Sequence, residues 1–147
     1  MKEVQEDIKF VLLNDPRLVY VKSGGGVLTL RGLEDYPLQT KTPSIVIFDS
    51  GTNGVLHWSS HRRWMPFSVR ISAVQRIFNR EHKIVGSDTE KGVDEIVKDI
   101  RYVLDMNRLN GRYARMFLRD ESPPTQIVDG NVHLMEKALT FEVVRLE

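Results

Sequence analysis

No cysteine occurs in the 147 residues. That excludes disulfides, thiolate catalysis, and zinc or iron–sulfur sites built on cysteine. It fits a reducing compartment. An excess of either charge is missing too: 21 Lys and Arg stand against 20 Asp and Glu, a formal net charge of +1. Nothing in that balance draws the whole molecule onto nucleic acid or an anionic membrane. No apolar run reaches the ~18 residues of a membrane-spanning helix. The opening MKEVQEDIKF is too acidic and too patterned for a signal peptide. There is no G-x-S-x-G elbow to present a serine nucleophile. Gly24, Gly25 and Gly26 are not followed by Lys-Ser or Lys-Thr, so a phosphate loop lacks its required context and a flexible hairpin turn is the better reading. Repeats and low-complexity segments are absent.

What is present is the composition of a globular chain, 41% hydrophobic and 28% charged. The length suits one α+β domain over residues 1–147, with a core that needs no staples.

The clearest pattern lies at 87–107. Val93, Ile96, Val97, Ile100, Val103 and Leu104 fall on one stripe of a helix. Lys91, Asp94, Glu95, Lys98, Asp99, Arg101 and Asp105 fill the other side. Ser87 and Glu90 have capping-box spacing. Such a helix must cover a flat apolar surface, and the chain supplies strands for it.

Residues 2–13 predict a shorter helix, striped by Val4, Ile8, Val11 and Leu12 and stopped at Asn14-Asp15-Pro16. Residues 18–21 are β-prone, and 27–30 return as a second strand after the glycines. Residues 44–48, SIVIF, are apolar on both faces and belong inside a sheet. Turn residues fill 49–54. In 67–74, Phe67, Val69, Ile71 and Ala73 alternate with Ser68, Arg70 and Ser72, as in a half-buried strand. Beyond the long helix, 113–118 predict a strand. Residues 126–128 and 132–134 flank the turn Asp129-Gly130-Asn131. The last stretch, 137–146, alternates Leu139, Phe141 and Val143 with Thr140 and Glu142 and predicts a paired terminal strand. The expected architecture is a mainly antiparallel sheet packed on one side by the N-terminal helix and the longer amphipathic one.

Residues 55–66, VLHWSSHRRWMP, are the most unusual in composition. Together with the preceding turn they predict a protruding loop at about 49–66. Arg62 and Arg63 lie between Trp58 and Trp64. These residue types stack on single-stranded nucleic acid, and they also dominate protein–protein hot spots. The near-neutral net charge favours the second use, so Trp58, Arg62, Arg63 and Trp64 are the candidate partner-interface residues. Tryptophan closing the edge of the core is the bland alternative. His57 and His61 share the spacing of a helical ligand pair, but Trp58 stands where a zinc protease needs glutamate, and a third ligand is missing. Two exposed histidines on a loop fit better. A metal or hydrolase reading that also enlists His82 and His133 is the weakest rival. Arg101, Arg108, Arg112, Arg115 and Arg119 form a basic strip only if they share a side; a solvated face accounts for them. Asp94, Glu95 and Asp99 read as solubilising carboxylates. We read no catalytic residue, metal ligand or cofactor site from the residues.

The order of elements points to a family. A short helix ends near Asp15-Pro16 and is followed by LVYV, the strand PSIVIFD, a variable loop, the strand FSVRISAV, the charged helix DEIVKDIRYVLD and the final strand ALTFEVVRL. This arrangement resembles the tail-terminator and tail-completion proteins of long-tailed bacteriophages, a group that includes tail-to-head joining proteins. The resemblance covers most of the chain and transfers no individual functional residue. It implies a non-enzymatic virion protein of the tail or neck, assembled in the bacterial host cytoplasm. It implies a homo-oligomeric ring, typically a hexamer, at the head-proximal end of the tail tube. Such a ring stops tube growth and offers a docking surface to the head connector. Its partners are the tail tube protein and the connector or neck protein. DNA passes through the lumen without sequence-specific binding, and no membrane is involved. A ring needs two different patches per subunit that close by rotation, which exposed sheet edges or the Arg–Trp loop can supply.

Overall fold

A computed structural model describes residues 2–32, 35–37, 41–48, 57–59, 62–76, 92–105, 107, 115–129 and 132–146. Helix α1, Lys2–Asn14, buries Val4, Ile8 and Leu12 on the stripe its spacing dictates. It stops where Asn14 turns its side-chain amide back onto the Phe10 carbonyl, 2.8 Å away.

The next segment departs from expectation. Residues 18–21 form no strand. Asp15 accepts a hydrogen bond from the Arg17 amide, and Pro16 opens a 3-10 turn, Pro16–Leu18. Helix α2, Val19–Ser23, follows directly. The β-branched LVYV run loses to burial: Leu18 and Val21, one helical turn apart, both reach the core. Gly24 then brings the chain against Pro43, where an added Cβ would stand 2.7 Å from the Pro43 carbonyl oxygen. Gly26, at φ +73°, turns the chain into the first strand.

The strands are β1 Gly26–Leu30, β2 Ser44–Phe48, β3 His57–Ser59, β4 Arg62–Arg76, β5 Arg115–Glu121, β6 Thr125–Asp129 and β7 Val132–Leu146. They make a seven-stranded sheet in the order β1-β2-β4-β7-β5, with β3 beside β4 and β6 beside β7. All pairings are antiparallel except β1 with β2. The fold is therefore α+β, as the element pattern predicts. The anticipated hairpin between 18–21 and 27–30 is replaced by a parallel β1–β2 pair.

Helix α3, Val93–Leu104, buries all six residues of its predicted stripe. Burying each such side chain stabilises the fold by about 1.5–3 kcal/mol. Gly92 stands at its N-cap without a side-chain bond, so the helix starts later than the 87–90 box implies. That box lies outside the described residues. Asp94 and Glu95 in the first turn and Arg101 in the last complement the helix dipole.

One core joins α1, α2 and α3 to Val27, Ile45, Ile47, Val69, Ile71, Ala73, Met116, Leu139, Phe141 and Val143 of the sheet. The opposite face carries a smaller cluster of Tyr36, Val46, Phe48, Val74 and Leu134. Residues 67–74 are thus not simply half-buried. Ser72 and Val74 are fully covered on the face away from the helices. Tyr36 closes part of that face, its hydroxyl 2.7 Å from the equally buried Ser44 Oγ. Burial pushes the Tyr36 hydroxyl up, and it outweighs the bond to Ser44 and the charge of Arg76.

Candidate assembly surface

The sheet is built from two long, interrupted hairpins. In the first, β2 and β3 are successive pieces of one arm lying against β4. Phe48 pairs with Arg70, and His57 pairs with Trp64. The arm residues between these pairs, 49–56, lie outside the described residues. In the second hairpin, β5 and β6 lie in succession against β7. A register shift falls between Leu118 and Asp120. At the second break, Ser122 replaces a ladder position. Its amide donates to the Ala138 carbonyl, and its Oγ accepts from the Ala138 amide, both at 2.9 Å. The hairpins join through thirteen paired positions of β4 and β7, from Trp64 with Leu146 to Arg76 with Leu134. Their turns therefore lie at opposite ends of the sheet.

The sequence-selected residues sit on β3 and the start of β4. Trp58 pairs with Arg63 and Ser59 with Arg62, while Trp64 faces His57 on one side and Leu146 on the other. In the described part, 57–59 and 62–66 are strand, not irregular loop. The backbone brings all four candidate interface residues to one hairpin end. Strands hide well in HWSSHRRW, because its aromatic and charged residues mask the alternation a strand signal relies on.

A polar cluster anchors the root of this arm. Glu136 of β7 is 3% exposed. Its Oε1 accepts from Ser72 Oγ at 2.6 Å and from Arg70 Nη2 at 3.2 Å. The Arg70 guanidinium also lies 5.4 Å from the Phe48 ring centroid, the last residue of β2. A buried carboxylate needs such partners, and these hold β2, β4 and β7 in register. The sequence reading put Ser72 on the polar side of its strand and did not single out Glu136.

His57 and His133 lie far apart along the sheet. His57 pairs near Leu146, whereas His133 pairs with Val128 at the other end of β7. Thirteen strand positions separate them, about 40 Å. His133 Nδ1 lies 3.4 Å from Gln126 Nε2. His61 and His82 lie outside the described residues. Among the described residues no group of three His, Asp or Glu could hold a metal ion.

The helical layer presents a second surface, which the sequence reading missed. Phe10, Val19 and Tyr102 are 58%, 62% and 67% exposed. The Arg17 guanidinium stacks 3.4 Å from the Tyr102 ring centroid. Lys98, Arg101, Tyr102 and Asp105 line a shallow depression beside it. The signal was available: Tyr102 is the large apolar residue on the charged side of the α3 pattern. Of the arginines at 101, 108, 112, 115 and 119, the side chains of Arg101 and Arg119 are described. Arg101 is exposed on α3, while Arg119 of β5 pairs with Glu142 at 3.2 Å and packs over Phe117. Arg108 and Arg112 lie outside the described residues. No described helix is long and apolar enough to cross a membrane.

No family model matches the chain. No curated protein matches it either. In fold it is similar to a chain of a solved structure described as the virion of a native gene transfer agent particle. The TM-score is 0.62 at 10% identity, over 97% of this chain and 94% of that one.

Proposed function

We propose that this chain is a structural virion protein of a phage-like particle: a tail terminator or tail-completion protein. In this reading several copies, six by the family pattern, close into a ring at the head-proximal end of the tail tube. The ring stops tube growth and offers the head connector its docking surface. DNA passes through the opening unread. The chain works through its surfaces, and no bond is made or broken.

The observation that carries this reading is the fold likeness to a virion chain over nearly the full length of both. The sheet adds support. Its two hairpin turns lie at opposite ends, so each subunit offers different ends to its neighbours, as a closing heterologous contact requires. The Arg–Trp hairpin end is the assigned partner patch, through Trp58, Arg62, Arg63 and Trp64. The test is the double substitution Trp64→Ala with Arg63→Ala. The expected result is a folded monomer, by circular dichroism, whose assembly needs at least tenfold more protein. A variant that forms rings at the wild-type concentration overturns the assignment.

A further inference from the structure

The strand edges left unpaired among the described residues are not alike. At one side, β5 and β6 carry Arg119, Asp120 and Glu121, a register shift, and Pro123-Pro124 between them. The Leu118 amide is already 3.4 Å from Asp105 Oδ1. Charge, bulge and proline are the devices that keep an edge from accepting another strand. At the other side, β1 reads GVLTL and has none of them. It is the terminal strand of the sheet order. Leu28 and Leu30 of β1 are only partly buried, packed on the second-face cluster at its margin. A strand added along β1 would extend the ladder and cover both.

The third edge is the outer side of β3, which among the described residues pairs with β4 alone. A subunit cannot bring its own β3 to its own β1. β1 ends at Leu30, level with Phe48 and Arg70. β3 is centred on Trp58, level with Arg63. The two levels are seven steps apart along β4, about 23 Å.

We infer that in the assembled protein β3 of one copy adds to the β1 edge of the next, so that the Arg–Trp hairpin works as a strand donor. This inference rests on the ring reading. A heterologous contact must join two different surfaces; among the described residues β5–β6 is guarded, and β3 and β1 are the edges that remain. Main-chain hydrogen bonds then supply the adhesion, and the residues flanking β3 select the partner.

The absence of native cysteine makes the test clean. Thr29→Cys marks the exposed position of β1, and Ser59→Cys marks β3. Each variant is expressed alone, and the two are co-expressed. All three preparations are treated with a short bis-maleimide, and particle mass is measured in parallel. The expected result is a covalent dimer only in the co-expressed sample, at ring mass. Ring mass without that dimer overturns the strand pairing and leaves the ring reading standing. A dimer from Thr29→Cys alone reveals a two-fold contact at β1 and overturns both. Single-copy mass with no dimer overturns the ring reading itself. Thr29→Lys, an edge charge that the monomer tolerates, is expected to raise the protein concentration needed for assembly by tenfold or more. Unchanged assembly of that folded variant counts against the pairing.

Discussion

Lys137 Nζ of β7 lies 2.7 Å from the Asp94 carboxylate in the first turn of α3. The same ammonium lies 3.0 Å from Glu121 at the end of β5. One cation thus ties the start of the main helix to two strands. Burial opposes its charge, but the hydrogen bonds to the two carboxylates win and raise its pKa.

Lys137→Met should therefore destabilise the fold by about 1–2 kcal/mol, since each carboxylate keeps about a third of its exposure and water screens the loss. Urea unfolding of the two proteins measures it. Because the folded pKa lies above the unfolded one, the stabilisation is whole at neutral pH. It is lost as pH rises past the ordinary lysine range and through the raised value.

Tyr20 gives a second alkaline effect. Its hydroxyl donates to Asp99 Oδ2 at 2.6 Å and joins α2 to α3. Burial, and then the bond to Asp99, push it well above the usual tyrosine value. Its contribution is complete below about pH 10 and declines above that. Tyr20→Phe should cost about 1–2 kcal/mol at neutral pH. It should also flatten the fall of melting temperature on the alkaline side, read by thermal melts across pH.

Core truncations should separate the two faces of the sheet. Phe141→Ala opens the larger core, where Phe141 is fully buried, and should cost about 3–5 kcal/mol. Val74→Ala removes less volume from the smaller cluster and should cost less. Equal losses in chemical denaturation would mean that the second face is packed as tightly as the first.

The glycine turn should respond at both positions. Gly24→Ala places a methyl 2.7 Å from the Pro43 oxygen, and Gly26→Ala forces a side chain into positive φ. Each should destabilise by about 1–3 kcal/mol, seen as a lower denaturation midpoint.

Much of this fold was legible in the chain, for physical reasons. The stripe of α3, the two-faced apolar run of β2 and the alternation of β7 each match one secondary-structure period, and the burial follows. Residues 18–21 misled because local β-propensity is weak beside the burial of Leu18 and Val21. The parallel β1–β2 pair was hidden because 31–43 return the chain without the long helical pattern that marks such crossovers. Ser72 fell on the polar side of its strand's alternation, yet it is buried. Its partner, Glu136, is 64 residues away and also accepts from Arg70, a pairing no local pattern reveals. The candidate patch was found by composition alone, and its hairpin backbone by structure alone. The helical surface of Phe10, Val19 and Tyr102 went unread because single exposed apolar residues are common.

The proposed ring stands or falls on the mass of the particle in solution. Light scattering on the purified chain during size-exclusion chromatography, across a concentration series, should give a discrete closed species of several copies. A single-copy mass at every concentration would contradict it.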